Sequence, residues 1–229
     1  MNNRIYQWGI VIIGNMLKLP FLAALFTAFS RIWLRHHKIR QFLIWGNFDS
    51  VVDGGANIGE FATLVRDALP QTQLLCVEPH APSAVHLRRQ GFTVIEGALW
   101  HEKARLNLSQ PSEATTSCTV ISSNNKPVLS SWEVDAIRLD DLPISGKNIF
   151  IKLDLQGAEI HALQGMDTLW NRCNAIMLEV SIGEKGTYET LRNLLSEKGF
   201  AEYSTTNELE EDGRIIEADK IWVRKGFRA

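Results

Sequence analysis

The run VVDGGANIGEF at 51–61 places an acid, Asp53, directly ahead of a turn of small residues, Gly54, Gly55 and Ala56. Asn57, Ile58 and Gly59 follow, and FATLVRDAL continues with helical spacing. This is the pattern of a buried strand, a tight turn and a helix start, where backbone N–H groups and the helix dipole suit a polar cofactor. QLLCVEPH at 73–80 reads as a second strand ending in Glu78. A carboxylate at that strand tip can accept both ribose hydroxyls of an adenosine lying across the first turn. The two acids together point to a nucleoside-containing cofactor.

The turn discriminates between cofactors. A dinucleotide fingerprint has glycine at the first, third and sixth loop positions, so that backbone can approach a pyrophosphate. Counted from Gly54, the third position is Ala56 and the sixth Gly59, one glycine short. The charge of Asp53 is unhelpful beside a pyrophosphate and useful beside the ammonium of S-adenosylmethionine or its water shell. No Lys-Ser or Lys-Thr pair follows the glycines, which excludes a P-loop. A methyl donor is favoured over a nicotinamide dinucleotide, and no Tyr-x-x-x-Lys pair supports an oxidoreductase.

The elements that must hold these residues alternate from 49 onward, as in a doubly wound α/β sheet. Strands are expected at 50–53, 73–77 and in FTVIEGAL at 92–99, with helices over about 60–68 and 82–90 between them. HEKARLNLSQ and SWEVDAIRLDDL read as extended segments around a polar stretch at 109–131. NIFIKLDLQG at 148–157 and AIMLEVS at 175–181 are the fourth and fifth parallel strands. A helix stopped by Gly199 and a closing antiparallel pair, AEYSTT and DKIWVRK, complete the domain.

With 45% hydrophobic and 22% charged residues and a net charge of −2, the chain belongs with ordinary globular proteins and offers no global attraction for nucleic acid. Its three cysteines, Cys76, Cys118 and Cys173, form no CxxC and read as buried thiols of a cytoplasmic protein rather than as a zinc site. Residues 1–48 differ from the rest and are expected to form an N-terminal helical extension to a domain at 49–229. IVIIGNML at 10–17 and FLAALFTAF at 21–29 are strongly apolar, but Lys18 and Pro20 interrupt them. RIWLRHHKIR at 31–40 then adds Arg31, Arg35, Lys38 and Arg40. Two short helices are expected, capping the domain or making peripheral contact with an anionic membrane through residues 5–40.

DGGANIGEF, CVEPHAPS, VIEGALW, VDAIRLDDL and IKLDLQGAEIHALQGM occur in an order and spacing that resembles the FkbM-type S-adenosylmethionine-dependent methyltransferases, over about 50–225. The resemblance implies a class I methyltransferase (Rossmann-like) fold with a doubly wound, seven-stranded, mostly parallel sheet. It also implies O-methylation of a hydroxyl on a small molecule, sugar, glycan or natural product. One position departs from the pattern: Gln156 stands where the family usually carries an acid, which supports a non-catalytic cofactor-binding module as the alternative reading.

Asp53, Gly55, Asn57 and Gly59 are expected to bracket the methionine half of S-adenosyl-L-methionine and Glu78 to take the ribose. Glu96, Gly97 and Ala98 fall where the adenine edge meets backbone, although Glu96 fits a solvated strand-end acid equally well. Asp154 ends the fourth strand at the crevice edge, with Lys152 on the same side of that strand. His80 and His101 follow strand ends and are further candidate bases, each weighed against a plain loop histidine. Asp154, Glu159 and Glu179 together suggest either a hydroxyl-binding acid cluster or a Mg²⁺ site that lowers the hydroxyl pKa. The competing reading is a structural ion-pair network of Lys152, Asp154 and Glu159. Trp100 and Trp132 are candidates to stack on a sugar ring, Trp100 with the stronger claim to core packing.

Overall fold

The computed structural model describes residues 36–110, 130–182 and 187–228. The apolar runs at 10–17 and 21–29, most of the polar stretch at 109–131, and Cys118 lie outside them. Residues 36–46 are helical (α1). Then follow β1 (Ser50–Gly54), α2 (Glu60–Ala68), β2 (Gln73–Glu78), α3 (Ala81–Arg89), β3 (Thr93–Glu96), β4 (Ala98–Leu99), β5 (Arg105–Gln110) and β6 (Ser130–Ile137). The chain closes with β7 (Ile149–Leu153), α4 (Glu159–Gln164), β8 (Cys173–Ser181), α5 (Thr187–Glu197), β9 (Phe200–Glu211) and β10 (Arg214–Arg224).

Seven strands form the main sheet in the order β3-β2-β1-β7-β8-β10-β9. The first five pair in parallel, and β10 enters antiparallel to both β8 and β9. Every residue of β1 and β7 is buried, which is why both read as almost unbroken apolar runs rather than alternating ones. Strand order reverses between β1 and β7, and in such sheets the crevice beyond the carboxyl ends at that reversal is where ligands bind. The register places Asp53 opposite Cys76 on one side and opposite Lys152 on the other.

The expected third strand, 92–99, is divided between two sheets. Thr93–Glu96 joins the main sheet beside β2, whereas Ala98–Leu99 pairs with β6 in a three-stranded sheet ordered β4-β6-β5. Gly97 makes the transfer possible. A Cβ there would stand 2.5 Å from Ile137 Cδ1 and 2.8 Å from the Asp135 carbonyl oxygen, so only glycine lets the strand pass so close to β6. Ala98, Leu108 and Val134, with Leu106 and Trp132 against them, make the apolar core of this small sheet.

One compact unit spans Arg40–Ala229, so residues 40–48 of the expected extension belong to it. Phe42 meets Phe150 edge-on at 5.4 Å between ring centroids, and Phe48 lies 5.1 Å from the same ring. No helix among the described residues is long and apolar enough to cross a membrane. Cys76 and Cys173 are buried thiols, and burial pushes Cys173 up to about 12, so neither has thiolate character near neutral pH.

Phe150 is fully buried in the centre of the sheet and touches Phe42, Phe48 and Phe61. Phe150→Ala is expected to lower unfolding stability by about 3–5 kcal/mol through lost burial and a residual cavity, read by denaturant titration.

Candidate active site

The turn after β1 brings two strands into near-contact. Gly55 has φ +71° and lies so close to the carbonyl oxygen of Asp154 that a Cβ would sit 1.9 Å from it. No side chain fits there, so the glycine joins the cofactor turn to the end of β7. Asn57 takes the left-handed conformation too, at φ 49°, and its N–H donates to Glu78 Oε2 at 2.7 Å. The N–H of His80 donates to Glu78 Oε1 at 2.8 Å. Glu78 is only 5% exposed. Burial pushes its carboxyl above the usual range, and the two N–H donors pull the other way.

A cleft of about 680 Å³, open to solvent, lies at these strand ends. Gly55, Asn57, Glu78, His80, Gly97, Ala98, Asp154 and Gln156 face it, with Leu99, Leu108 and Leu155 as apolar walls. Each oxygen of Glu78 accepts one N–H and retains a lone pair for a hydroxyl on the cleft side.

Behind the cleft wall lies a charged network. Lys152 Nζ stands 3.2 Å from Asp53 Oδ1, 3.4 Å from Asp154 Oδ2, and donates to the Gly55 carbonyl at 3.2 Å. Burial alone would discharge this lysine, but the two carboxylates outweigh it and hold the ammonium charged. Burial drives Asp53 upward against the opposing pull of Lys152. Asp154 also suffers burial, yet Lys152 and hydrogen bonds from Glu179 and Gln156 hold it below the ordinary carboxylate value. Glu179 is driven upward by burial and then by the charge of Asp154, so it keeps the proton of the pair.

The structure sorts the sequence candidates. Gly55, Asn57, Glu78, Gly97, Ala98, Asp154 and His80 share the cleft. Asp53 does not face it: fully buried, it meets Lys152 behind the wall. A Cβ on Gly59 would meet Leu87 and Phe92 of the core, and this glycine lies at the α2 start rather than in the cleft lining. Glu96 does not line the cleft; it is held in an exposed ion pair with Arg88 of α3 at 2.9 Å. His101 is also elsewhere, in a ring cluster where Trp100 stacks on His161 at 4.0 Å between centroids.

The expected metal set does not assemble. Glu159 Oε1 accepts the N–H groups of Leu155 and Gly157, at 2.7 and 3.4 Å, so it fastens the turn before α4. Between Asp154 and Glu179 lies the side-chain amide of Gln156, donating to both at 3.2 and 2.7 Å. An N–H donor occupies the place a cation would need, and among the described residues no cluster of three or more His, Cys, Asp or Glu has metal-binding geometry. Gln156 adopts φ 54°, which explains how its amide turns back across two strand ends.

Some cleft residues gave no signal in the sequence. Ser83 bonds its hydroxyl to His80 Nδ1 at 2.8 Å and lines the cleft from the first turn of α3. Leu108 arrives from the small sheet, which closes over the cleft only in the folded chain.

A doubly wound sheet with an antiparallel end, a glycine turn after its first strand and a carboxylate at the tip of its second defines a class I methyltransferase fold. A family model for the methyltransferase FkbM domain matches residues 53–201, and the chain belongs to that family. It is 26% identical over 179 residues to "Methyltransferase 1" of Beauveria bassiana (strain ARSEF 2860), covering 66% of this chain and 72% of that protein. Among solved structures it is similar to the methyltransferase FkbM from Methylobacillus flagellatus KT, at 17% identity and a TM-score of 0.50. That match covers 77% of this chain and 44% of the other, so the chain spans less than half the length of that relative.

Glu159 provides a pH-dependent check of the turn that carries Asp154. Burial raises its carboxyl to about 7 against an ordinary value of 4.5. The neutral form is therefore favoured by folding; stability is fully present below about pH 4.5 and is lost as pH rises through about 7. Glu159→Gln retains an acceptor oxygen without the charge. The variant is expected to gain about 2–3 kcal/mol on the wild type between pH 5 and pH 8, measured by denaturant unfolding at both values. An unchanged difference between the two proteins across that range would show that Glu159 does not titrate in the fold.

Proposed function

We propose that the chain is an S-adenosylmethionine-dependent methyltransferase acting on a hydroxyl of a small molecule or glycan. The observation that carries this is one cleft lined both by Glu78, with a free lone pair on each oxygen, and by Asp154, with its carboxylate held ionised. Glu78 would hold the ribose hydroxyls, and the backbone of Gly55 and Asn57 with Gly97 and Ala98 would border the rest of the cofactor. When bound, the cofactor supplies an electrophilic methyl group on a sulfonium.

The part of this chain's residues is then to orient an acceptor oxygen and take its proton. A free alcohol is far too weak an acid for a carboxylate to deprotonate beforehand. The proton becomes acidic as the oxygen forms its new bond to carbon, and Asp154 can accept it at that stage. Lys152 fixes the position of that carboxylate, and protonated Glu179 and Gln156 donate to two more of its lone pairs, which leaves one for the acceptor proton. Of the histidines, His80 alone of the two candidates lines the cleft. Trp132 lies against it, 5.6 Å between ring centroids, and so backs His80 from the small sheet without lining the cleft itself.

Glu78→Ala is expected to weaken S-adenosylmethionine binding about 10- to 100-fold in calorimetric titration, for the loss of charged hydrogen bonds to two hydroxyls. NADH in the same titration should not compete. Asp154→Asn is expected to leave cofactor affinity within a few-fold while turnover on a hydroxylated acceptor panel falls by about 10²–10⁴. Tight cofactor binding by the wild type with no methylation of any acceptor in the panel would favour a non-catalytic module instead.

A further inference from the structure

We propose that the face formed by Ile44, Trp45, Tyr203 and Phe227, remote from the cleft residues, docks on an anionic lipid bilayer. Trp45 stacks on Tyr203 with 5.6 Å between centroids and 7° between planes, and Phe227 meets Trp45 edge-on at 5.5 Å. Among the described residues this apolar group stands open: Ile44 is 47% exposed, Trp45 39% and Tyr203 57%. Adjacent large apolar side chains held open to solvent mark an interaction surface. Indole and phenol rings, with a polar atom on an apolar body, favour the headgroup level of a membrane.

The charges select the partner. Residues 1–48 contain six Lys and Arg and no acid, although the whole chain is net −2. Within the face itself, Arg40 is exposed one turn before Ile44 on α1, and exposed Lys225 and Arg228 flank Phe227. The nearest acid in sequence to Tyr203 is Glu202. Strand alternation sends it to the opposite side of β9, where Lys220 Nζ at 2.6 Å and the Tyr188 hydroxyl at 2.6 Å hold it. Exposed Arg40, Lys225 and Arg228 beside these aromatic side chains match an anionic membrane surface, where each cation near the headgroups adds about 1 kcal/mol. A second copy would instead set Arg40, Lys225 and Arg228 against their own equivalents across a two-fold axis, a like-charge arrangement that opposes association.

The test uses the full chain and sedimentation with vesicles of phosphatidylcholine containing about 30% phosphatidylserine, at about 0.1 M salt. The wild type should pellet with these vesicles and remain in the supernatant with pure phosphatidylcholine. Ile44→Glu/Tyr203→Glu should reduce partitioning by about tenfold or more. Its S-adenosylmethionine affinity should match the wild type, since neither residue lines the cleft, and its melting temperature should fall only by the few degrees expected for the lost ring contacts of Tyr203 with Phe42 and Trp45. Three results would overturn the proposal. The wild type could stay in solution with anionic vesicles. The double variant could pellet as well as the wild type, which would assign binding to residues 1–35 alone. Light scattering could show a wild-type dimer that the substitutions convert to monomer, which would assign the face to a second copy. None of these depends on cofactor binding, so failure of the methyltransferase reading is scored separately.

Discussion

One buried ammonium organises this molecule. Lys152 is 7% exposed and its Nζ lies within 3.4 Å of three oxygens: one each from Asp53 and Asp154 and the carbonyl of Gly55. The arrangement follows from strand register, because Asp53 and Lys152 are direct partners on β1 and β7. Without that cation the fully buried Asp53 would carry a large desolvation penalty and the partly exposed Asp154 a smaller one, and removing one member of such a set is destabilising. The same ammonium ties the Gly55 turn to the carboxylate proposed to take the acceptor proton. The separation between the two halves of the cleft is thus set by a cross-strand ion pair between the two central strands β1 and β7.

Around that core, backbone approach matters as much as charge. Gly55 lets the chain pass within contact of the Asp154 carbonyl, and Gly97 lets β4 leave the main sheet to join β6. The first approach closes the cleft floor; the second swings the small sheet over it and delivers Leu108 as a wall. Gln156 completes the site by a different route. Its amide bridges Asp154 and Glu179, where an acid in its place would have put three carboxyl groups together. Replacing an acid with an amide removes one negative charge and adds a donor, so the two acids are bridged by N–H groups of one side chain.

The strands and helices of the domain were readable because each carries the signature of its environment. β1 and β7 are continuous apolar runs, as strands buried on both faces must be, and α2 begins where the Asn57–Gly59 turn ends. Glu78 was readable as a cleft residue because a strand tip has a fixed relation to the crevice in this fold. Asp53 was misassigned by the same logic. It is adjacent in sequence to the cofactor turn, but its side chain lies on the side of β1 that meets Lys152. Glu96 and His101 show the limit again, since position near a strand end does not say which way a side chain leaves the strand. Glu159 was grouped with Asp154 and Glu179 on spacing, whereas its carboxylate is used by the local N–H groups of its own turn.

The sequence by itself determined the fold, the cofactor turn and the two acids, Glu78 and Asp154, that face the cleft, because periodicity, turn chemistry and strand ends are local properties of the chain. Only the tertiary structure decided that Asp53 is a buried counter-ion and that Gln156 bridges two acids. It also decided that the small sheet roofs the cleft and that Trp45 and Tyr203 stack in the open. Each of these rests on a contact between segments far apart in the chain: the β1–β7 register, the β7–β8 ends, the β4–β6 pairing and the meeting of α1 with β9. Such contacts depend on how strands choose neighbours, and that choice is made by burial summed over the whole domain rather than by any residue's near neighbours in sequence.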